Sequence, residues 1–211
     1  MKMRTVEIPR TKVKPEVMFG SQKKRVGLLG GTFNPLHTGH LILAEQVCSQ
    51  LGLDKVVFLP DNLPPHVDTK SAISAKDRIQ MVQLGIIDNQ NFEVDTIEVD
   101  RGGVSYTYDT VKELQARHPD IDYYFIIGGD MVEYLPKWNK IDQLIKIIKF
   151  VGVRRSGSKT QSPYPILWVD VPKIDISSTL VRDKVKQGCS IRYLVPDAVE
   201  EYIKKEGLYR G

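Results

Sequence analysis

The stretch GGTFNPLHTGH, which begins at Gly30, combines the features that a protein needs to hold a chain of phosphates. Gly30 and Gly31 lack side chains, so phosphate oxygens can approach main-chain N–H groups there. His37 and His40 lie three positions apart, and at a helix start both imidazoles can face the same way. A helix N-terminus favours anions through its free N–H groups and its dipole. The stretch therefore predicts a polyphosphate held by two histidine donors, with Gly39 leaving room for the nucleotide.

Better-known phosphate and metal motifs do not fit this stretch. A Walker motif requires Lys followed directly by Ser or Thr after the glycines, and no such pair follows here. The GxGxxG spacing of dinucleotide-binding proteins and the HExxH spacing of zinc enzymes are absent too. A double glycine or a single histidine alone is more often structural, but the complete string is far more specific.

A second anion-binding pattern lies near the C-terminus, where Ser177 or Ser178 can cap a helix that contains Arg182. Hydroxyl groups at a helix start and an arginine one turn later can clamp phosphates, because the planar guanidinium makes bidentate contacts. Without the first motif, a capped surface helix with a solvated arginine is the favoured interpretation of these residues.

The elements that position these residues alternate between strand-like and helix-like patterns. Such alternation implies a parallel sheet with helices on both faces, and ligands of such sheets bind beyond the carboxyl ends of the strands. The predicted strands span residues 26–30, 55–60, 92–99, 123–127, 150–153 and 166–169. The predicted helices span residues 39–51, 75–87, 107–117, 141–148, 178–187 and 196–205.

Three further segments follow predicted strands or begin a predicted helix. They are PPH, which ends at His66; SYTYDT, in which Thr107 lies at a helix start; and GGD, which ends at Asp130 and precedes Trp138. Each has a plain structural interpretation, since proline pairs mark loops, Asp often caps helices, and Trp is more often a core residue than a stacking surface.

Length and composition fit one α/β domain of an ordinary soluble protein. The chain has 211 residues, of which 41% are hydrophobic and 27% are charged, and its net charge is +4. This mild excess argues against a nucleic-acid-binding protein. The two cysteines lack metal spacing and fit a reducing cytoplasm, and no signal peptide or membrane-length apolar run is present. We therefore predict a cytoplasmic protein with no membrane or nucleic-acid partner.

The predicted domain covers residues 25–211 and follows an irregular N-terminal extension, residues 1–24. Residues 1–25 carry eight Lys and Arg against two Glu. The basic stretch is short and has little aromatic interleaving, which favours a solvated tail.

The first stretch resembles the signature of the HxGH nucleotidyltransferases, and its GGTFNP part is similar to that of the bacterial nicotinate-nucleotide adenylyltransferases. The resemblance covers about residues 25–211. It implies a Rossmann-like, doubly wound parallel sheet in a single domain. It also implies transfer of an adenylyl group from ATP to nicotinate mononucleotide, with Mg²⁺ held mainly through the phosphates, and a homodimer.

The resemblance further implies roles for individual residues. His37, His40 and Arg182 would be catalytic. Trp138 would stack on the nicotinate ring, Thr107 would receive its carboxylate and Arg155 the acceptor's phosphate. The full set implied for ATP is Gly30, Gly31, Thr32, Phe33, His37, His40, Gly128, Asp130, Ser177, Ser178, Thr179 and Arg182. The set implied for nicotinate mononucleotide is Asn34, His66, Tyr106, Thr107, Trp138 and Arg155.

Two positions depart from the family's pattern, and several alternatives stay open. Val67 stands where relatives often have Lys, with Lys70 as a nearby substitute, and Asn139 stands where an aromatic residue often follows the tryptophan. The acceptor could be nicotinamide mononucleotide or phosphopantetheine, although phosphopantetheine enzymes carry TFDP and lack a pocket of the Trp138 type. A cytidylyltransferase and a non-catalytic nucleotide sensor are further alternatives, and a sensor predicts a lost histidine or arginine.

Overall fold

Six parallel strands form one sheet in the order β3-β2-β1-β4-β5-β6. The computed structural model describes residues 23–65, 72–155 and 162–210, apart from the side chains of Asp130 and Arg155. The sheet order reverses between β1 and β4, which creates a crevice at the carboxyl ends of these strands. The strands are β1 (Lys24–Gly31), β2 (Lys55–Pro60), β3 (Phe92–Val94), β4 (Ile121–Gly128), β5 (Lys149–Arg155) and β6 (Ile166–Val171).

Helices cover both faces of this sheet. One face carries α1 and α2, and the other carries α3 to α6. None of the helices within the described ranges is long and apolar enough to cross a membrane. Their bounds are α1 (Thr38–Leu51), α2 (Ala75–Ile86), α3 (Ile97–Arg101), α4 (Thr107–Arg117), α5 (Gly129–Val132), α6 (Ile141–Leu144), α7 (Ser178–Lys186) and α8 (Asp197–Lys205).

Alternate residues of the buried strands supply the two halves of the core, as the period of a strand requires. Leu28 packs on the face of α3 to α6, whereas Leu29 packs on the face of α1 and α2. A third cluster joins α2, α7 and α8 through Met81, Val181 and Val199, all fully buried. This cluster holds the start of α7 beside the loop that follows β1.

The predicted α/β class and parallel sheet are confirmed, but two predicted elements are wrong in extent. The predicted strand over residues 92–99 ends at Val94, because the Asp95 carboxylate accepts the Ile97 N–H (2.9 Å) and turns the chain into α3. The predicted helix over residues 141–148 ends at Leu144, where bonds between residues three apart tighten the backbone. Strand β1 begins at Lys24, and residues 1–22 lie outside the described part.

Candidate active site

The loop after β1 places an aromatic support beneath the second histidine. Phe33 is 2% exposed and has a positive φ of 47°. Its ring meets that of His40 edge-on at 5.1 Å and that of Phe58 at 5.6 Å between centroids. The position of the His40 imidazole is therefore set by the core of the domain.

The two histidines stack on each other at the start of α1. Their ring centroids are 3.7 Å apart, and the backbone N–H of His37 donates to Nδ1 of His40 at 3.2 Å. Because Nδ1 accepts this bond, the neutral imidazole of His40 carries its proton on Nε2. Burial lowers the pKa of His37 to about 4, and burial together with the nearby His37 lowers the pKa of His40 well below its usual value. His40 is thus a neutral N–H donor near pH 7.

Gly39 makes room for the ring of His37. A Cβ atom at this position would lie 3.0 Å from Nδ1 and 3.1 Å from Cε1 of His37. The glycine therefore has a packing role beside the imidazole, and the space that it leaves for a nucleotide stays a prediction.

Gly39→Ala should therefore disturb the histidine stack without weakening the fold. We expect turnover to fall about 10- to 100-fold, since a small misplacement of a catalytic group has this effect. Alanine also favours a helix more than glycine does, so the melting temperature should not fall. Steady-state kinetics and thermal unfolding measure both quantities. Ser49→Ala, at an exposed position of α1, is the control, and wild-type turnover in Gly39→Ala would contradict the argument.

Two cavities meet at His40, and each collects a different set of side chains. The first, which we call the phosphate cavity, has a volume of about 410 Å³ and is lined by Thr32, Phe33, Asn34, His40, Ser178, Thr179 and Arg182. The second, which we call the ring cavity, has a volume of about 330 Å³ and is lined by Gly30, Gly31, His40, Tyr106, Thr107, Phe125, Gly128 and Trp138. His40, Asp61 and Pro64 line both cavities, so a ligand that occupies both would lie against these residues.

The start of α7 is tied to the first loop by side chains. Ser177 caps the helix by accepting the N–H of Leu180 at 3.1 Å. Ser178 Oγ donates to the carbonyl of Pro35 at 2.8 Å. Arg182 donates from Nη1 to the carbonyl of Asn34 at 2.8 Å and from Nη2 to Thr179 Oγ1 at 3.1 Å. The two sequence motifs therefore form one continuous wall of the phosphate cavity.

The ring cavity combines aromatic side chains with the start of α4. Trp138 is half-buried and meets Phe125 and Phe150 edge-on, with centroids 5.8 Å and 5.9 Å away. The side chain of Tyr106, which precedes α4, makes no capping hydrogen bond with the helix. The N–H groups in the first turn of α4 therefore donate no capping bond to the side chain of Tyr106. Both Tyr106 and Thr107 line the apolar ring cavity.

The predicted site residues are divided between the two cavities, and the ligand that each one binds stays a prediction. Asn34 lines the phosphate cavity and not the ring cavity, whereas Gly30, Gly31 and Gly128 line the ring cavity. His37 and Ser177 line neither and act through their neighbours. His66, Val67 and Lys70 lie outside the described residues, as do the side chains of Asp130 and Arg155. Asn139, the second departure from the family's pattern, lines the ring cavity.

Comparisons with known proteins identify the family. A cytidylyltransferase-like family model matches residues 28–184. A protein of Lactiplantibacillus plantarum named probable nicotinate-nucleotide adenylyltransferase is 57% identical over 98% of both chains. A protein of the same name from Enterococcus faecalis is 58% identical over 89% of this chain and 86% of its own. The chain belongs to the nicotinate-nucleotide adenylyltransferase family.

A solved structure confirms the fold of this family. The nicotinic acid mononucleotide adenylyltransferase of Plasmodium falciparum, solved with NaAD, superposes with a TM-score of 0.73 at 20% identity. The alignment covers 88% of this chain and 97% of that one. The family model and the relatives of more than 50% identity show that the chain is an enzyme of the nucleotidyltransferase class, as its sequence predicts.

The structure also shows a buried ion pair that sequence reasoning missed in this member of the family. Arg78 on α2 is 2% exposed and donates to the carbonyls of Thr32 and Asp61, each at 2.7 Å. It also meets the Asp61 carboxylate at 3.3 Å, which accepts the Thr32 hydroxyl at 2.7 Å. Burial raises the pKa of Asp61, whereas the Thr32 hydroxyl and the Arg78 guanidinium oppose this rise. The pair joins the carboxyl ends of β1 and β2 beneath both cavities.

A second buried carboxylate lies beside the ring cavity. Glu98 is 6% exposed and accepts the hydroxyl of Thr110 at 2.7 Å, while Arg101 donates to the same hydroxyl at 2.8 Å. Ser105 links this region to the loop after β2, since its Oγ accepts the N–H of Asn62 at 2.9 Å. No local sequence signal distinguishes these residues from those of a solvated helix, because their partners come from other segments.

Proposed function

We propose that the protein transfers the adenylyl group of ATP to the 5′-phosphate of nicotinate mononucleotide, giving deamido-NAD and pyrophosphate. The observation that carries this proposal is the place of His40 between a polar cavity and an aromatic one. The names of relatives more than 50% identical over most of the chain support the same reaction.

The reaction needs no covalent intermediate with the protein. An oxygen of the acceptor's phosphate attacks the α-phosphorus of ATP, and the bond from that phosphorus to the bridging oxygen of the β-phosphate breaks. Pyrophosphate leaves with the electron pair of that bond. A phosphate monoester has a second pKa of about 6 and is already ionised near neutral pH, so the nucleophile needs no strong base.

Catalysis then consists of positioning and stabilisation of charge. The Nε2–H of His40 donates to an α-phosphate oxygen as negative charge develops there. Because His40 is fixed by His37 and Phe33, the donor needs little reorganisation during the reaction. His37 is thus a positioning residue, and His40 the catalytic donor.

Arg182 and the start of α7 would hold the departing pyrophosphate. The guanidinium has five N–H donors, of which two are directed to Asn34 and Thr179. Ser178 and Thr179 also line the cavity at the N-terminal end of a nine-residue helix, where the dipole favours anions. The positive charge and helix dipole would stabilise the leaving group as it separates.

Mg²⁺ is the cofactor that this reaction requires in our proposal. Among the residues described, no group of three or more His, Cys, Asp or Glu side chains is placed to hold a metal. Asp61 lines the phosphate cavity, but its carboxylate accepts from Thr32 and Arg78. These surroundings suit an ion that keeps much of its water and binds mainly to phosphates, where it neutralises their charge.

We propose that the ring cavity receives the acid and not the amide, with the start of α4 outweighing the carboxylates of Glu98 and Asp61, which also line the cavity. Trp138 offers an aromatic surface, and the N-terminal end of α4 favours a negative group. We therefore propose that the nicotinate carboxylate is received near Tyr106 and Thr107 while the ring lies against Trp138. The contributions of His66, Asp130 and Arg155 remain predictions from the family resemblance.

A panel of substrates tests the proposal through the release of pyrophosphate. With ATP, we expect the highest kcat/KM for nicotinate mononucleotide and about a tenfold or greater loss for nicotinamide mononucleotide, as expected when a charged group loses its partner. Phosphopantetheine with ATP, and nicotinate mononucleotide with CTP in place of ATP, should give no turnover above background. No activity with ATP and nicotinate mononucleotide would refute the proposed function.

Two further properties stay predictions. They are the homodimer, which the family resemblance implies, and the cytoplasmic location, which the composition indicates. Light scattering of the purified protein would measure the mass in solution and so test the dimer directly.

A further inference from the structure

The chain returns to the phosphate cavity after its last helix. Beyond α8, Gly207 and Tyr209 have positive φ angles of 65° and 64°, and the N–H of Leu208 donates to the carbonyl of Ile203 at 3.0 Å. Leu208 and Tyr209 then pack against the cluster that joins α2, α7 and α8. Residues other than glycine rarely adopt a positive φ angle, so tertiary contacts must hold Tyr209 in this conformation.

The hydroxyl of Tyr209 ends at the first loop of the active site. It donates to Oδ1 of Asn34 at 2.8 Å, across 175 positions of sequence. Asn34 is 6% exposed and lines the phosphate cavity, and its backbone carbonyl accepts from Arg182 at 2.8 Å. The Asn34 side chain therefore accepts a hydrogen bond from Tyr209, in the C-terminal segment, and its backbone carbonyl accepts one from Arg182.

The surroundings keep this phenol protonated. Burial raises the pKa of Tyr209, and the positive charges of Arg182 and Arg78 oppose that rise while Asp77 adds to it. The net effect is a raised pKa, so the hydroxyl stays a donor at neutral pH. The same contacts place the phenol close to the two guanidinium groups that line the phosphate cavity.

We propose that Tyr209 is a positioning residue for adenylyl transfer, which holds Asn34, and through it the anchored Arg182, in place for the polyphosphate. The proposal rests on the proposed function and extends it to the end of the chain. Loss of the hydroxyl leaves the ring packed in its cluster but removes one hydrogen bond that restrains the Asn34 side chain. The loop between Phe33 and Pro35 can then move relative to α7.

The chain offers a matched control for this idea. Tyr202, on α8, belongs to the same cluster and donates its hydroxyl to Asp77 Oδ1 at 2.8 Å. Its acceptor does not line the phosphate cavity. Tyr202→Phe and Tyr209→Phe thus each remove one hydroxyl group that donates to a side chain. The acceptor of Tyr209, Asn34, lines the phosphate cavity, whereas the acceptor of Tyr202, Asp77, does not.

Steady-state kinetics and calorimetry of both variants test the proposal. For Tyr209→Phe we expect kcat/KM for ATP to fall about tenfold, as one lost hydrogen bond predicts, and the affinity for added pyrophosphate to fall with it. The KM for nicotinate mononucleotide and the melting temperature should match those of Tyr202→Phe. Asn34→Ala combined with Tyr209→Phe should cost no more than Asn34→Ala alone, because the two act in series.

Two results would overturn the proposal. One is an equal loss of ATP efficiency in Tyr202→Phe and Tyr209→Phe, which would indicate a general effect on stability. The other is wild-type pyrophosphate affinity in Tyr209→Phe. Failure of the proposed function is distinguishable from both, because the unmodified protein would then show no turnover with ATP and nicotinate mononucleotide.

Discussion

His40→Ala should lower kcat about 100- to 1,000-fold, which is the usual cost of removing one donor to a developing charge. The affinity for ATP should change much less, because in our proposal Arg182 and the start of α7 still hold the β- and γ-phosphates. The effect is large because the imidazole of His40 is fixed by the bond from the His37 N–H to its Nδ1 and by the ring of Phe33, which leaves Nε2 in a set position. Single-turnover rates and titration with a non-hydrolysable ATP analogue measure the two quantities separately.

Two conservative variants separate the parts of this imidazole. His40→Asn keeps an acceptor close to the position of Nδ1 and should preserve the bond from His37, but it loses the donor and hence turnover. His40→Gln places an N–H near the position of Nε2 and should keep more of the rate. Losses of equal size in kcat and in ATP affinity for His40→Ala would contradict a role in the transition state.

Arg78→Met should cost about 3–5 kcal/mol of the free energy of unfolding, the range found when one partner of a buried ion pair is removed. The substitution leaves the Asp61 carboxylate buried without its guanidinium and frees two carbonyls, those of Thr32 and Asp61. Unfolding in urea measures the loss. Turnover should fall as well, because the ends of β1 and β2 carry the loops on either side of His40.

An exposed pair provides the control for this prediction. Arg154 and Asp170 form a surface ion pair with side chains 34% and 52% exposed, and Arg154→Met should cost less than about 1 kcal/mol of the free energy of unfolding.

The pH dependence of stability gives a second check on Arg78→Met. The pKa of Asp61 is already raised, and loss of Arg78 raises it further, so the folded state binds a proton more readily than the unfolded state. The deficit of Arg78→Met should therefore shrink as the pH falls from 7 toward the usual carboxyl range, and a deficit that grows would contradict the account.

Sequence reasoning succeeded where the signal is local and periodic. Alternating strands and helices predicted the parallel sheet, and hydroxyls before an amphipathic helix predicted the capped start of α7 at Ser177. The histidine pair is also local, since His37 and His40 meet within one helical turn. Short elements fared worse, because α3 depends on a single carboxylate, Asp95, that competes with continuation of a strand.

The residues that sequence reasoning missed owe their roles to partners far along the chain. Arg78 looks like any solvated arginine of an amphipathic helix, and only the tertiary fold places it between β1 and β2. Tyr209 lies in a polar C-terminal segment whose approach to Asn34 has no local signature. Gly39 has no local signal for its contact with the ring of His37, which only the folded loop reveals.

The occupied Nδ1 of His40 has a consequence for the direction of the reaction. A donor that keeps its proton from start to finish does not need to be recharged between turnovers, and it serves the reverse attack by pyrophosphate on the dinucleotide equally well. In our proposal the site therefore lowers the same activation barrier for the forward and the reverse reaction and leaves the equilibrium constant unchanged. Net synthesis then depends on chemistry outside this protein that hydrolyses pyrophosphate or consumes the dinucleotide.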